Sequence, residues 1–178
     1  MLSLKAKLKD GTEVEILDSP EKIPVREYLE YINAMMEEGA WLTHKRKSTM
    51  KEEKFWKRDV ISKIKRGRMI YLGAVRGGKV AGASSAEKGV GRNENNVCIG
   101  IAISGKFRGN GLGELLMRRT IAVAKEKFRP KNIFLTVAEP NKAAWKLYEK
   151  VGFRKIARFP DWIEKDGKYY AQLWMVLK

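Results

Sequence analysis

Arg108-Gly109-Asn110-Gly111-Leu112-Gly113 follows the apolar run Val97-Cys98-Ile99-Gly100-Ile101-Ala102-Ile103 and opens a helical pattern that begins at Glu114. A strand, a glycine turn and a helix in that order build an anion site. The first N–H groups of a helix have no intrahelical partner, and glycines let an anion such as pyrophosphate approach without meeting a Cβ atom.

Spacing separates the nucleotide loops that use such glycines. The Walker loop needs a Lys and then a Ser or Thr after its last glycine, but Glu114 and Leu115 follow Gly113. The dinucleotide fingerprint spaces its glycines differently and needs an acidic residue closing a second strand, which the run 133–137 lacks. The pattern (Arg/Gln)-x-x-Gly-x-(Gly/Ala) is met by Arg108, Gly111 and Gly113. In this the segment resembles the acyl-coenzyme A signature of the GNAT N-acetyltransferases.

Working outward, 68–75 and 80–86 read as strands joined by the hairpin turn Arg76-Gly77-Gly78-Lys79. The helix after the loop runs to about 128, with Leu112, Leu115, Leu116 and Val123 near one face, and 133–137 is the next strand. Ala144, Leu147, Tyr148 and Val151 then form one helical stripe, capped by Asn141 and ended by Gly152. Upstream, 2–17 reads as two short strands around Asp10-Gly11, and 23–38 and 49–65 as helices. The phrase 141–153, with Leu147-Tyr148-Glu149-Lys150 and Gly152-Phe153, resembles the second coenzyme-binding motif of the same superfamily. The resemblance covers about 68–178. It implies an α+β GNAT fold in one domain over 1–178: a mixed, strongly twisted sheet with splayed central strands and flanking helices.

That resemblance implies acetyl-CoA as co-substrate and a primary amine as acceptor: a protein N-terminus or lysine, an amino acid or a small amine. The amides of Arg108, Gly109, Asn110, Gly111, Leu112 and Gly113 would hold the pyrophosphate. The strand backbone at Ile101, Ala102 and Ile103 would face the pantetheine and offer an N–H to the oxyanion, and Asn141, Ala144 and Tyr148 would stand beside the coenzyme. By its motif position, Tyr148 would protonate the leaving thiolate; a phenol with a reference pKa near 10 suits a thiol of about 8.5 only as a donor. No carboxylate lies in 97–103, so the general base is sought among Glu87, Glu94 and Glu139. Glu139 is chosen because it follows a strand expected to face the splayed gap, with a water relay as the alternative. The family's acceptor pocket draws on its most variable element, here the region before 68.

The chain has 178 residues with 37 Lys or Arg against 21 Asp or Glu, a formal charge of +16. Residues 45–68 hold half of that excess, and 118–131 carry a second one that would draw coenzyme phosphates. Phe55 and Trp56 lie beside Val60, Ile61 and Ile64, which reads as core packing rather than base stacking. The charge is therefore read as a surface or steering field, with any nucleic acid or ribosome contact secondary. A second reading is a non-catalytic coenzyme-binding module that holds nucleic acid through this basic surface. Polyamine acceptors fit poorly with the charge unless the pocket carries a local acidic patch. One cysteine, Cys98, read as a small core residue, and one histidine, His44, supply no metal set and no internal disulfide. With no apolar run long enough to span a membrane and no signal-like start, a cytoplasmic protein is expected.

Overall fold

In the computed structural model, which describes residues 3–178, β1 (Ser3–Lys7) and β2 (Glu13–Leu17) form a hairpin. Gly11 takes φ +83° in its turn, and Asp10 accepts a 2.9 Å bond from the Thr12 N–H. The expected start of this strand at Leu2 lies outside the described residues. Two helices follow, α1 (Val25–Glu37) and α2 (Met50–Lys65). Thr49 and Glu52 form a reciprocal capping box at the start of α2, which fixes where that helix begins.

The second hairpin, β3 (Met69–Arg76) and β4 (Lys79–Lys88), turns through Gly77 and Gly78, both at positive φ. After it come β5 (Asn96–Ile103), α3 (Leu112–Phe128), β6 (Asn132–Ala138), α4 (Lys142–Val151), β7 (Phe153–Lys165) and β8 (Lys168–Leu177). The eight strands lie in the order β1-β2-β3-β4-β5-β6-β8-β7. All pairs are antiparallel except β5–β6, so the sheet is mixed, as expected.

Helices cover both faces, which is why seven of the eight residues of β3 are buried. Ile70, Leu72 and Ala74 face α3, whose Leu112, Leu116 and Met117 are fully enclosed, while Met69, Tyr71 and Val75 face α1 and α2. Each enclosed Leu or Met contributes about 1.5–3 kcal/mol. Trp56 packs 4.9 Å from Tyr28 and 6.3 Å from Tyr71, but Phe55 is 68% exposed. The expectation that both aromatics pack in the core holds for Trp56 alone, because Phe55 projects from the opposite side of α2.

Candidate active site

The site begins where a ladder ends. β5 and β6 pair in parallel only at Asn96↔Asn132, Val97↔Ile133 and Cys98↔Phe134. Beyond that point β5 stays bonded to β4, β6 stays bonded to β8, and the two strands part. Ser104 N–H donates to Ala81 O, which sets the alternation of the β4–β5 ladder. Ala102 and Gly100 therefore turn their backbone groups to β4, and Ile101 and Ile103 turn theirs into the gap. This leaves a strand edge inside the sheet, open to an extended amide-bearing chain.

The glycine loop closes one end of that gap. Gly109 and Gly111 take φ +79° and +93°, conformations that a Cβ would strain. The Asn110 side chain accepts from Leu112 N–H at 3.2 Å, and its carbonyl accepts from Lys9 N–H at 3.1 Å. That local cap starts α3 at Leu112, two residues before the expected Glu114. It also takes up Leu112 N–H, leaving those of Gly109, Gly111 and Gly113 without a protein partner among the described residues. Lys9 lies along Gly111, where a Cβ would come 3.2 Å from Lys9 Cγ, and so places a cation beside the loop. Sequence reasoning missed Lys9, because nothing local marks a residue brought in from the first hairpin. Gly113 allows close packing: a Cβ there would come 3.1 Å from Leu147 Cδ2 on α4.

Arg108 is placed otherwise than its motif position suggests. Its Nε donates to Ile103 O at 3.0 Å and its Nη2 pairs with Glu38 at 2.8 Å, so the side chain ties β5 to the end of α1 rather than facing the loop amides.

On α4, Asn141 caps the helix by accepting from Ala144 N–H at 3.3 Å, while both residues also line the groove. Tyr148 is 7% exposed and packs edge-on to Phe153 at 6.2 Å. Its hydroxyl has no hydrogen-bond partner among the described residues, and the residue lines the groove. Burial, with the neighbouring Cys98 thiol adding to it, pushes its pKa up to about 12.

A single groove of about 1030 Å³ joins this side of the sheet through the gap to the side covered by α1 and α2. There Tyr31 donates to Ala102 O at 2.7 Å, and Tyr28 and Tyr71 share a 2.8 Å hydrogen bond. Tyr71 lies over Gly73, where a Cβ would come 2.8 Å from its hydroxyl oxygen. Three carboxylates line the groove: Glu38, Glu53 and Glu114. Glu38 is paired with Arg108, and Glu114 with Arg118 and Lys150. Glu53 was not singled out in the sequence, although an acid on the buried stripe of α2 was a signal available there.

Two sequence expectations need correction. Glu139 does not line the groove; Arg158 grips both its oxygens, at 2.9 and 2.8 Å, and holds its carboxyl below the ordinary range. A base whose conjugate acid is that strong, with its lone pairs engaged, is unsuited to removing a proton from an ammonium. Cys98 is not a core residue. It opens onto the groove at the point where β5 and β6 separate, yet enough protein surrounds it to push its thiol pKa up. Cys98 and Gly100 are exposed in the groove, which explains the small side chains on that strand face better than helix packing does. Among the described residues, no group of His, Cys, Asp and Glu is placed to hold a metal ion, and no helix is long and apolar enough to cross a membrane.

Comparison with known proteins identifies the class. Residues 30–153 match the acetyltransferase (GNAT) family. The chain belongs to that family. Among individual proteins, it is 31% identical over 105 residues to YwnH of Bacillus subtilis (strain 168), provisionally described as a phosphinothricin acetyltransferase. That match covers 58% of this chain and 64% of YwnH, less than two thirds of the relative's length. A GNAT-family acetyltransferase from Streptococcus pneumoniae superposes with a TM-score of 0.79 at 22% identity, over 92% of this chain and 98% of the other. The Sinorhizobium meliloti phosphinothricin acetyltransferase, solved in complex with AcCoA, gives 0.76 at 17% identity over 92% and 86%.

Proposed function

We propose that this protein, as a single domain, transfers the acetyl group of acetyl-CoA to the primary amine of a small acceptor by direct attack. The observation that carries the reading is the parting of β5 and β6 after Cys98 and Phe134, which leaves the backbone of Ile101 and Ile103 unpaired with β6 beside the glycine loop. The fit to acetyl-CoA is chemical. Gly109, Gly111 and Gly113 offer N–H groups, and Lys9 a cation, to the pyrophosphate, and the β5 edge offers backbone partners to the pantetheine amides. The bound thioester supplies an activated acetyl group. An N–H of the Ile101–Ile103 stretch meets the charge that builds on the carbonyl oxygen, and Tyr148 offers its hydroxyl to the sulfur. The proton of the attacking amine leaves through water in the open groove, since Glu139 is engaged by Arg158.

The basic segment supports an enzyme rather than a nucleic acid scaffold. Lys45, Arg46, Lys47 and Lys63 are ion-paired, Lys57 donates to the carbonyls of Glu21 and Ile23, and Arg68 donates to those of Lys88 and Gly89. Much of the cluster is thus engaged within the fold: Lys63 ties α2 to β4, Lys57 ties α2 to the segment before α1, and Lys45 ties the loop before α2 to β7. The test is thiol release from acetyl-CoA with a panel of amines that includes phosphinothricin, with no nucleic acid added. Turnover with at least one small amine is expected. Tight coenzyme binding without turnover on any amine would promote the non-catalytic module.

A further inference from the structure

Resting on that reading, we propose that Glu53 is an acceptor-specificity residue: it holds a second cationic group on the acceptor, so the natural substrate is a small dibasic amine.

Glu53 stands where the amphipathic pattern of α2 calls for an apolar residue. It shares the buried stripe with Trp56 and Val60, three and seven residues on, and is 5% exposed. It is not needed to cap the helix, because Glu52 already does so and also pairs with Arg46. In a chain with 37 Lys or Arg, no described residue forms an ion pair or hydrogen bond with the Glu53 carboxylate. The other two groove carboxylates are both matched by cations. The carboxylate departs from the apolar pattern of its stripe and faces the groove with no partner among the described residues, and such a violation of local rules is expected where a ligand completes the site.

The surroundings indicate the ligand's sign. Trp56, Tyr28 and Tyr31 line the same compartment, and ring faces attract cations as the carboxylate does. Trp41 also lines it, with Lys165 Nζ over its ring at 4.5 Å. The nearby Lys45, Arg46 and Lys47 are paired with Glu164, Glu52 and Glu37 and leave Glu53 unmatched. Trp56, one turn after Glu53, packs on Tyr71 of β3, while the gap opens at β5, two strand intervals away. The anchored cation and the reacting amine are then separated by on the order of 10 Å. This is the local acidic feature that lets a basic acceptor approach a protein of charge +16, whose surface field is screened within about 8 Å at physiological salt.

The experiment compares α,ω-diamines of increasing chain length with monoalkylamines of matched length in the thiol-release assay, on the wild type and on Glu53→Gln. Diamines of suitable length should show a KM roughly ten- to a hundredfold below that of their monoamine partners. Glu53→Gln should erase that advantage by raising the diamine KM while leaving monoamine KM and both kcat values nearly unchanged. A general-base role would instead lower kcat for every acceptor alike. Calorimetric titration of the same amines into coenzyme A-saturated protein reads the anchor without catalysis, so a failure of the transfer reading is seen separately. Thermal melting adds a third readout: removing an unmatched buried charge should raise the unliganded Tm of Glu53→Gln by a few degrees. A wild type that does not distinguish diamines from monoamines, a variant that shifts both alike, a preference for phosphinothricin untouched by the variant, or a lowered Tm would each overturn the proposal.

Discussion

Tyr148 keeps its proton because burial raises its pKa to about 12, and this decides how the hydroxyl can act. Complete transfer to a thiolate of ordinary pKa, about 8.5, would be uphill. The hydroxyl therefore works as a fixed hydrogen-bond donor to sulfur as negative charge develops, and the proton that finally neutralises the thiolate comes from the amine or from water. Tyr148→Phe keeps the edge-on contact with Phe153 and should lower kcat by about ten- to a thousandfold with little change in coenzyme affinity. Steady-state kinetics and a coenzyme titration on one preparation check this, and equal turnover would reduce the tyrosine to packing. No limb of the kcat profile below about pH 10 should belong to this phenol. Glu139→Gln is the companion control: it disturbs a partly exposed ion pair with Arg158 and should leave kcat within about a factor of three.

At the scale of elements, legibility followed how local the cause was. The hairpin glycines, the strand 97–103 and the Asn141 and Gly152 ends of α4 act within a few residues, so each could be read from the sequence. The C-terminal hairpin could not be assigned strand by strand. In β8 the buried Ala171, Leu173 and Met175 alternate with Tyr170, Trp174 and Val176, so both faces read as apolar. In β7 the register shifts between Lys155 and Ala157 and again between Phe159 and Ile163, which breaks the period. Lys9 went unseen because it reaches the groove through tertiary packing alone, whereas Glu53 interrupts the apolar stripe of α2 and left a local signal. Gly111 was legible and is the sharpest test of the loop. At φ +93° with Lys9 against it, Gly111→Val should destabilise the fold by about 1–3 kcal/mol and weaken coenzyme binding. Calorimetry on protein shown folded by circular dichroism decides the second effect, and unchanged coenzyme affinity would remove the loop from the site.

For the whole molecule, the aromatic compartment that shapes the acceptor side also sets the alkaline limit of stability. Tyr28, Tyr31 and Tyr71, like Tyr148, are held neutral by burial, and each has its pKa raised. Two of them fasten α1 to the sheet, Tyr28 through Tyr71 at 2.8 Å and Tyr31 through Ala102 O at 2.7 Å. In the unfolded chain all four ionise near pH 10. Above that pH the unfolded state binds fewer protons than the folded one, so the stability these groups contribute is complete below pH 10. It is lost as pH rises toward their folded-state values, at roughly 1 kcal/mol per pH unit for each withheld ionisation. Lysines lose charge over the same range, which relieves the self-repulsion of a +16 surface, but screened exposed charges weigh less than buried phenols. Denaturant midpoints should therefore stay nearly level from about pH 8 to 10 and fall steeply beyond it. Tyrosinate absorbance from these four rings should rise together with the loss of helical circular dichroism, and Tyr148→Phe should make the fall shallower by about one proton. Full tyrosinate absorbance near pH 10 with the helical signal intact would show that the phenols are open to water and that their burial does not set the alkaline limit.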